Sequence, residues 1–117
     1  MKIKYKIWFE EHGVTVFEPS LDECFKKLEE GSSLNSAVKE LNLSYRLIWG
    51  KIKNAEEKLG IKLVEINPGE KNMRLTKNAI TSLKIFNELE KEITPILQKA
   101  GRKMVALRKN ALAKAKG

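Results

Sequence analysis

Arg46, Gly50, Lys53 and Asn54 project onto about 100° of one helical face when each residue advances by 100°. Arg and Asn are the side chains that read base edges in a major groove, Arg on guanine and Asn on adenine, and that groove admits a single helix. Gly50 leaves no side chain between backbone and groove floor, although a mid-helix glycine costs about 1 kcal/mol against alanine. Ser44 and Tyr45 open the same segment and join this DNA-binding set, while Leu47 and Trp49 sit at its margins. Tyr45 and Trp49 read as residues that seat the helix, the alternative being direct base stacking. The bland reading of the whole face is a solvated one.

Further polar groups suit phosphate. Ser33 and Asn35 stand at the start of the preceding helix, where the helix terminus favours negative charge; Ser33 also serves as a cap. Lys71, Asn72 and Arg74 flank a turn and either reach a neighbouring phosphate or minor groove or remain solvated. Catalytic chemistry finds little material. The one histidine, His12, falls in an expected turn, and no Ser/His/Asp or Cys/His set forms without it. Cys24 lies on an apolar helix side and reads as a core thiol. The pairs Glu10-Glu11, Glu29-Glu30 and Glu56-Glu57 diverge by about 100° on a helix rather than converge. No metal site, no cofactor and no enzymatic activity are expected.

The elements that must hold these residues follow from periodicity. Ile3, Tyr5, Ile7 and Phe9 alternate with lysines as a strand over 3–9, the segment 10–13 turns at Gly13, and Val14–Phe17 returns as a hairpin. Ser20 and Glu23 form a capping-box pattern ahead of a helix carrying Leu21, Cys24, Phe25 and Leu28 and ending at Gly31. Ser33 caps a second helix with Leu34, Ala37, Val38 and Leu41 on its apolar side. Asn42 supplies the turn, and Ser44 caps a third helix whose stripe is Ile48, Ile52, Ala55 and Leu59 until Gly60. Two helices joined by so short a turn match a helix-turn-helix. Ile61–Ile66, a turn over 67–72 and Met73–Leu75 then make a second hairpin, the wing of a winged helix. Thr76 caps a long helix whose stripe includes Ile80, Leu83, Phe86, Leu89 and Ile93, an expected dimerisation face. Within it, Pro95 either kinks the helix or begins a new one capped by Thr94.

The 117 residues suit one domain, and 42% hydrophobic against 32% charged residues describe a folding chain. The net charge of +8 attracts polyanions. It is uneven, since 1–98 holds all 15 acids and stands at +1, while 99–117 holds seven bases and no acid. The expected division is a DNA-binding domain with its dimerisation helix over 1–98 and a basic tail over 99–117. A single cysteine permits no internal disulfide and reads as cytoplasmic. No apolar run suits a signal peptide or a membrane span.

The segment from Gly31 to Trp49, with Ser33, Leu34, Ala37, Leu41, Ser44, Tyr45, Arg46 and Trp49 in matching positions, resembles the helix-turn-helix of the molybdate-responsive transcription regulators, the ModE family, related to LysR-type winged helices. Leu75-Thr76 resembles the start of that family's dimer-forming helix, and the N-terminal Lys-Ile-x-Tyr-x-Ile-Trp segment also fits. The similarity covers about residues 2–98. Val38 replaces the second alanine of the family pattern, Asn42 the turn glycine, Gly50 an acidic residue and Ala79 a glycine, and the wing is shorter. The resemblance implies a cytoplasmic DNA-binding homodimer on double-stranded DNA; no molybdate-binding or other effector domain is expected in this chain. The expected fold is mainly α, of the α+β class: a winged helix-turn-helix with an N-terminal β-hairpin and a long C-terminal dimerisation helix. The expected function is sequence-specific transcription control with residues 44–59 in the major groove. The rivals are a non-specific architectural nucleic-acid binder using the tail and a winged-helix protein-interaction adaptor.

Overall fold

The computed structural model describes residues 1–66, 68, 69 and 73–116. The described chain is mainly helical with two small antiparallel sheets, an α+β arrangement in the order β1 (Phe9–Glu11), β2 (Val14–Phe17), α1 (Pro19–Glu29), α2 (Leu34–Glu40), α3 (Tyr45–Leu59), β3 (Val64–Glu65), β4 (Arg74–Leu75) and α4 (Lys77–Lys116). It divides into two compact units, one of Lys6–Phe86 and one of Met1–Tyr5 with Asn87–Gly117. Helix α4 runs without a break through residues 98 and 99, the expected start of the basic tail.

In the unit Lys6–Phe86, β1 and β2 are joined by His12 and Gly13 at φ 49° and 79°, the two positive values that a two-residue type I′ hairpin turn needs. The strand expected over 3–9 begins only at Phe9. Its partner explains the shortening: β2 ends at Phe17, and Pro19 has no N–H with which to extend a ladder. Helix α1 starts at Pro19, a residue preorganised for a first helical turn. The expected capping box is therefore displaced. Glu18 is the N-cap without a side-chain cap bond, and the Ser20 hydroxyl donates instead to the Glu18 carboxylate.

Helices α1 and α2 end in the same way. Ser32 N–H donates to Lys27 C=O at 2.9 Å and Gly31 N–H to Leu28 C=O at 3.1 Å; Leu43 N–H donates to Val38 C=O at 2.8 Å and Asn42 N–H to Lys39 C=O at 3.2 Å. Both are Schellman closures, with Gly31 and Asn42 at positive φ satisfying carbonyls that the helix leaves over. Asn42 thus does the work expected of it. The expected caps Ser33 and Ser44 accept from Ser36 N–H at 3.1 Å and Leu47 N–H at 3.3 Å.

The core of this unit gathers Leu21, Phe25 and Leu28 from α1, Ile48, Ile52 and Ala55 from α3, and Val16 and Phe17 from β2. The first turns of α4 add Ala79, Leu83 and Phe86. Phe86 meets Phe9 edge-on at 6.1 Å and Phe17 at 5.2 Å, and Phe17 meets Phe25 at 5.9 Å, separations at which aromatic pairs gain beyond their buried area. Leu59, expected at the end of the α3 stripe, is exposed at 38%; Glu56 is buried instead.

That carboxylate organises the segment after α3. Glu56 Oε2 accepts from Leu63 N–H at 2.7 Å and Val64 N–H at 3.3 Å, while Thr76 binds the Lys62 and Leu63 carbonyls at 2.6 and 3.0 Å. The strand expected over 61–66 is accordingly reduced to Val64–Glu65, paired with Leu75 and Arg74. Thr76 also caps α4, its hydroxyl accepting from Ala79 N–H at 3.2 Å.

In the other unit, α4 continues helical past Pro95. Thr94 is not a cap there: its hydroxyl donates to Glu90 C=O within the helix at 2.7 Å, the back-bonding habit of mid-helix Thr. Gly101 is the buried residue of this stretch, and the nearest side chain to where its Cβ would stand is Ile3, at 3.4 Å. Met1, Ile3 and Tyr5 line an open groove of about 680 Å³ with Leu97, Gly101 and Val105.

Candidate nucleic-acid interface

Helix α3 is fixed from one side and open on the other. Ile48, Ile52 and Ala55 are buried in the core, so Arg46 and Asn54, two turns apart on the opposite face, are exposed. Gly50 lies between them with open space where a Cβ would stand. Nothing in the fold requires a glycine there. Leu47, at the margin, is 67% exposed and the most exposed large apolar residue of the helix. Tyr45 stacks on Trp49 with ring centroids 6.5 Å apart and planes 11° from parallel. Trp49 packs against the core while Tyr45 is exposed at 41%, so the pair links the buried side of the helix to its outer margin.

Two of the lysines of α3 are engaged within the chain. Lys53, expected on the outward face, pairs with Glu56 at 3.0 Å and lies 4.4 Å above the Trp49 ring. Lys51 pairs with Glu18, a carboxylate from the N-terminus of α1. Burial pushes both carboxyls up, but hydrogen bonds outweigh it. Lys51 and Ser20 on Glu18, and the Leu63 N–H, Lys53 and Val64 N–H on Glu56, hold them below the ordinary carboxylate value. Both are therefore anions that keep two of the helix's cations occupied, and Arg46 has no ion-pair partner among the described residues.

The remaining expected contacts are distributed around α3. Ser33 is half-buried, its hydroxyl occupied as the α2 cap and in a 3.1 Å bond to Ser36 Oγ; Asn35 is exposed on the first turn of α2. Arg74 is exposed on β4 opposite Glu65. Lys71 and Asn72 lie outside the described residues. Of the expected dimerisation residues, Leu83 and Phe86 are only 3% and 2% exposed. They belong to the core of their own unit and offer nothing to a second chain. Ile80, Leu89 and Ile93 are half-buried.

Other chemistry is not assembled. Among the described residues no group of three His, Cys, Asp or Glu side chains could hold a metal ion, and no helix is long and apolar enough to cross a membrane. Cys24 is fully buried, and burial, with Glu23 adding to it, pushes its thiol up to about 11, far from the thiolate character that reactivity needs. Sequence reasoning missed the roles of Glu18, Lys51 and Glu56. For Glu56 a signal exists, because it stands four residues after Ile52 and so shares the buried side. Glu18 and Lys51 are 33 residues apart and carry no local pattern. No protein-family model matches this chain, and no curated protein matches it.

Proposed function

We propose that this chain is a winged helix-turn-helix protein that binds double-stranded DNA sequence-specifically in transcription control, as a homodimer, with α3 in the major groove. In this reading α2, the Asn42 turn and α3 are the helix-turn-helix, and β3 and β4 are the wing. The observation that carries it is the outer face of α3. It presents an unpaired Arg46 and an exposed Asn54 across a glycine that packing does not need, on a helix whose other face is locked in the core. Those two side chains match guanine and adenine edges, Gly50 lets the backbone approach them, and Leu47 suits a thymine methyl. Two copies would present two such helices to two half-sites. The resemblance to the ModE family runs through the same residues, Ser44, Tyr45, Arg46 and Trp49.

The test is selection of a preferred duplex from random DNA, followed by titration of that duplex and of a scrambled one. Arg46→Ala or Asn54→Ala is expected to cost about 1–3 kcal/mol on the selected duplex and little on the scrambled one, because base contacts specify and phosphate contacts do not. Equal loss on both would remove these residues from readout. Selection of no preferred duplex by the full chain, with affinity abolished in a chain ending at Leu97, would replace this reading by the architectural one.

A further inference from the structure

Within the unit formed by Met1–Tyr5 and Asn87–Gly117, the N-terminal segment and α4 enclose an open groove of about 680 Å³. Pockets that hold small organic molecules span about 300–1,000 Å³. One wall is apolar helix: Leu97, Gly101 and Val105 follow one another at intervals of four residues, and Met1, Ile3 and Tyr5 line the groove with them. Gly101 lets the segment lie close, since a Cβ there would stand 3.4 Å from Ile3 Cδ1. Even so, Met1, Ile3 and Tyr5 remain 66%, 38% and 44% exposed. Packing the segment on the helix therefore leaves apolar surface uncovered inside a concavity.

The polar residues of the same groove are cationic and uncompensated. Gln98, Arg102 and Lys109 fall within about 40° of one another around the helix and form its rim. Neither Arg102 nor Lys109 has an ion-pair partner among the described residues. No carboxylate is among the residues lining the groove, and the last acid of the sequence is Glu92. The two cations stand about 10 Å apart along the axis, so their long side chains can converge on one anionic group between them. From that point back to Leu97 is about 12 Å of apolar floor. A neutral molecule would leave the cations unused, and a bare polyanion would leave the floor uncovered. An anion with an apolar body satisfies both.

We propose that this groove is a binding site for an amphipathic monocarboxylate with an apolar body of about ten carbons. The carboxylate sits between Arg102 and Lys109, where the guanidinium offers two parallel donors, and the hydrocarbon runs over Gly101 toward Leu97 against Ile3. Bound there, the molecule touches both the N-terminal segment and α4 and holds the one on the other. Leu89 and Ile93 do not line the groove; they lie about 120° and 80° around the helix from Gly101. Their pairing with another chain would leave the site open. The proposal goes beyond the DNA reading and does not depend on it.

The test is titration of the full chain with decanoate and with decanol, below micelle-forming concentrations, followed by backbone amide NMR. Decanoate is expected to shift the Ile3, Gly101 and Val105 amides saturably with one site per chain, and decanol to bind about tenfold more weakly. Arg102→Gln with Lys109→Gln should bring decanoate down to the affinity of decanol and leave decanol unchanged. Val105→Trp, which fills the groove, should abolish binding of both with helical content unchanged by circular dichroism. Ile3→Ser, outside the helix, should weaken both by a similar factor. No saturable binding of decanoate, equal affinity for decanoate and decanol, or a double variant that binds decanoate as the wild type does would overturn the proposal. So would binding to phosphatidylglycerol vesicles without binding to free decanoate, which would assign the surface to a membrane instead.

Discussion

Helix α4 buries Leu83 and Phe86 in the unit Lys6–Phe86 and leaves Ile96, Met104 and Leu107 in solvent in the unit Met1–Tyr5 with Asn87–Gly117. The spacing of apolar residues is helical in both stretches. What differs is the company. Upstream, other elements supply Phe9, Phe17 and Phe25 to surround the helix; downstream, the N-terminal residues Met1, Ile3 and Tyr5 line a groove on one side of it and the opposite line stays bare. A repeating apolar stripe on its own thus marks a surface to be covered without saying whether the same chain or another covers it.

Substitution within that stripe should separate the two stretches most sharply. Phe86→Ala is expected to cost about 3–5 kcal/mol in urea unfolding, since it empties the centre of the Phe9–Phe86–Phe17 cluster. Ile96→Ala, measured at concentrations where the chain is monomeric, should stay within about 0.5 kcal/mol of the parent. Comparable losses would erase the contrast and mean that the downstream face is covered from within.

The next effect belongs to the polar interior of the first unit, for which the second unit has no counterpart among the described residues. Glu56→Ala strips the Leu63 and Val64 N–H groups of their acceptor and should cost about 1–3 kcal/mol. Glu56 and Glu18 are both held below the ordinary carboxylate value. A folded-state pKa lower than the unfolded one contributes stability that is full above the unfolded value and lost as pH falls through the folded one. Unfolding midpoints should therefore fall on acidification below about pH 4, and Glu56→Gln should flatten that decline. An unaltered pH profile in that variant would move the acid sensitivity elsewhere.

Opposite in sign is Gly50→Ala. It adds a Cβ into open space on α3 and should stabilise the fold by about 1 kcal/mol. On the DNA reading it should at the same time weaken binding to the selected duplex. A variant gaining stability with unchanged affinity would take Gly50 out of the interface.

Much of this fold was legible because it is punctuated locally. Ser33, Ser44, Asn42, Gly31 and Gly60 begin and end helices through contacts a few residues away, and the structure uses each of them so. Strand lengths were not legible, because a ladder stops when its partner stops: Pro19 limits β1 from across the hairpin, and Glu56 takes the Leu63 and Val64 N–H groups at the entry to β3. The outer face of α3 followed from its period. That Lys51 was already engaged did not, since Glu18 reaches it across 33 residues of chain; Lys53, four residues after Trp49 and three before Glu56, stood at helical spacings that sequence reasoning passed over.

Those engaged lysines bear on how binding would respond to ions. A cation already neutralised by a carboxylate displaces few counterions when it nears a phosphate, so it contributes little to the loss of affinity with rising salt. With Lys51 and Lys53 held by Glu18 and Glu56, those two lysines would add little to the salt dependence of binding. It would come instead from cations without such partners, Arg46 on α3 and the lysines and arginines at the far end of α4.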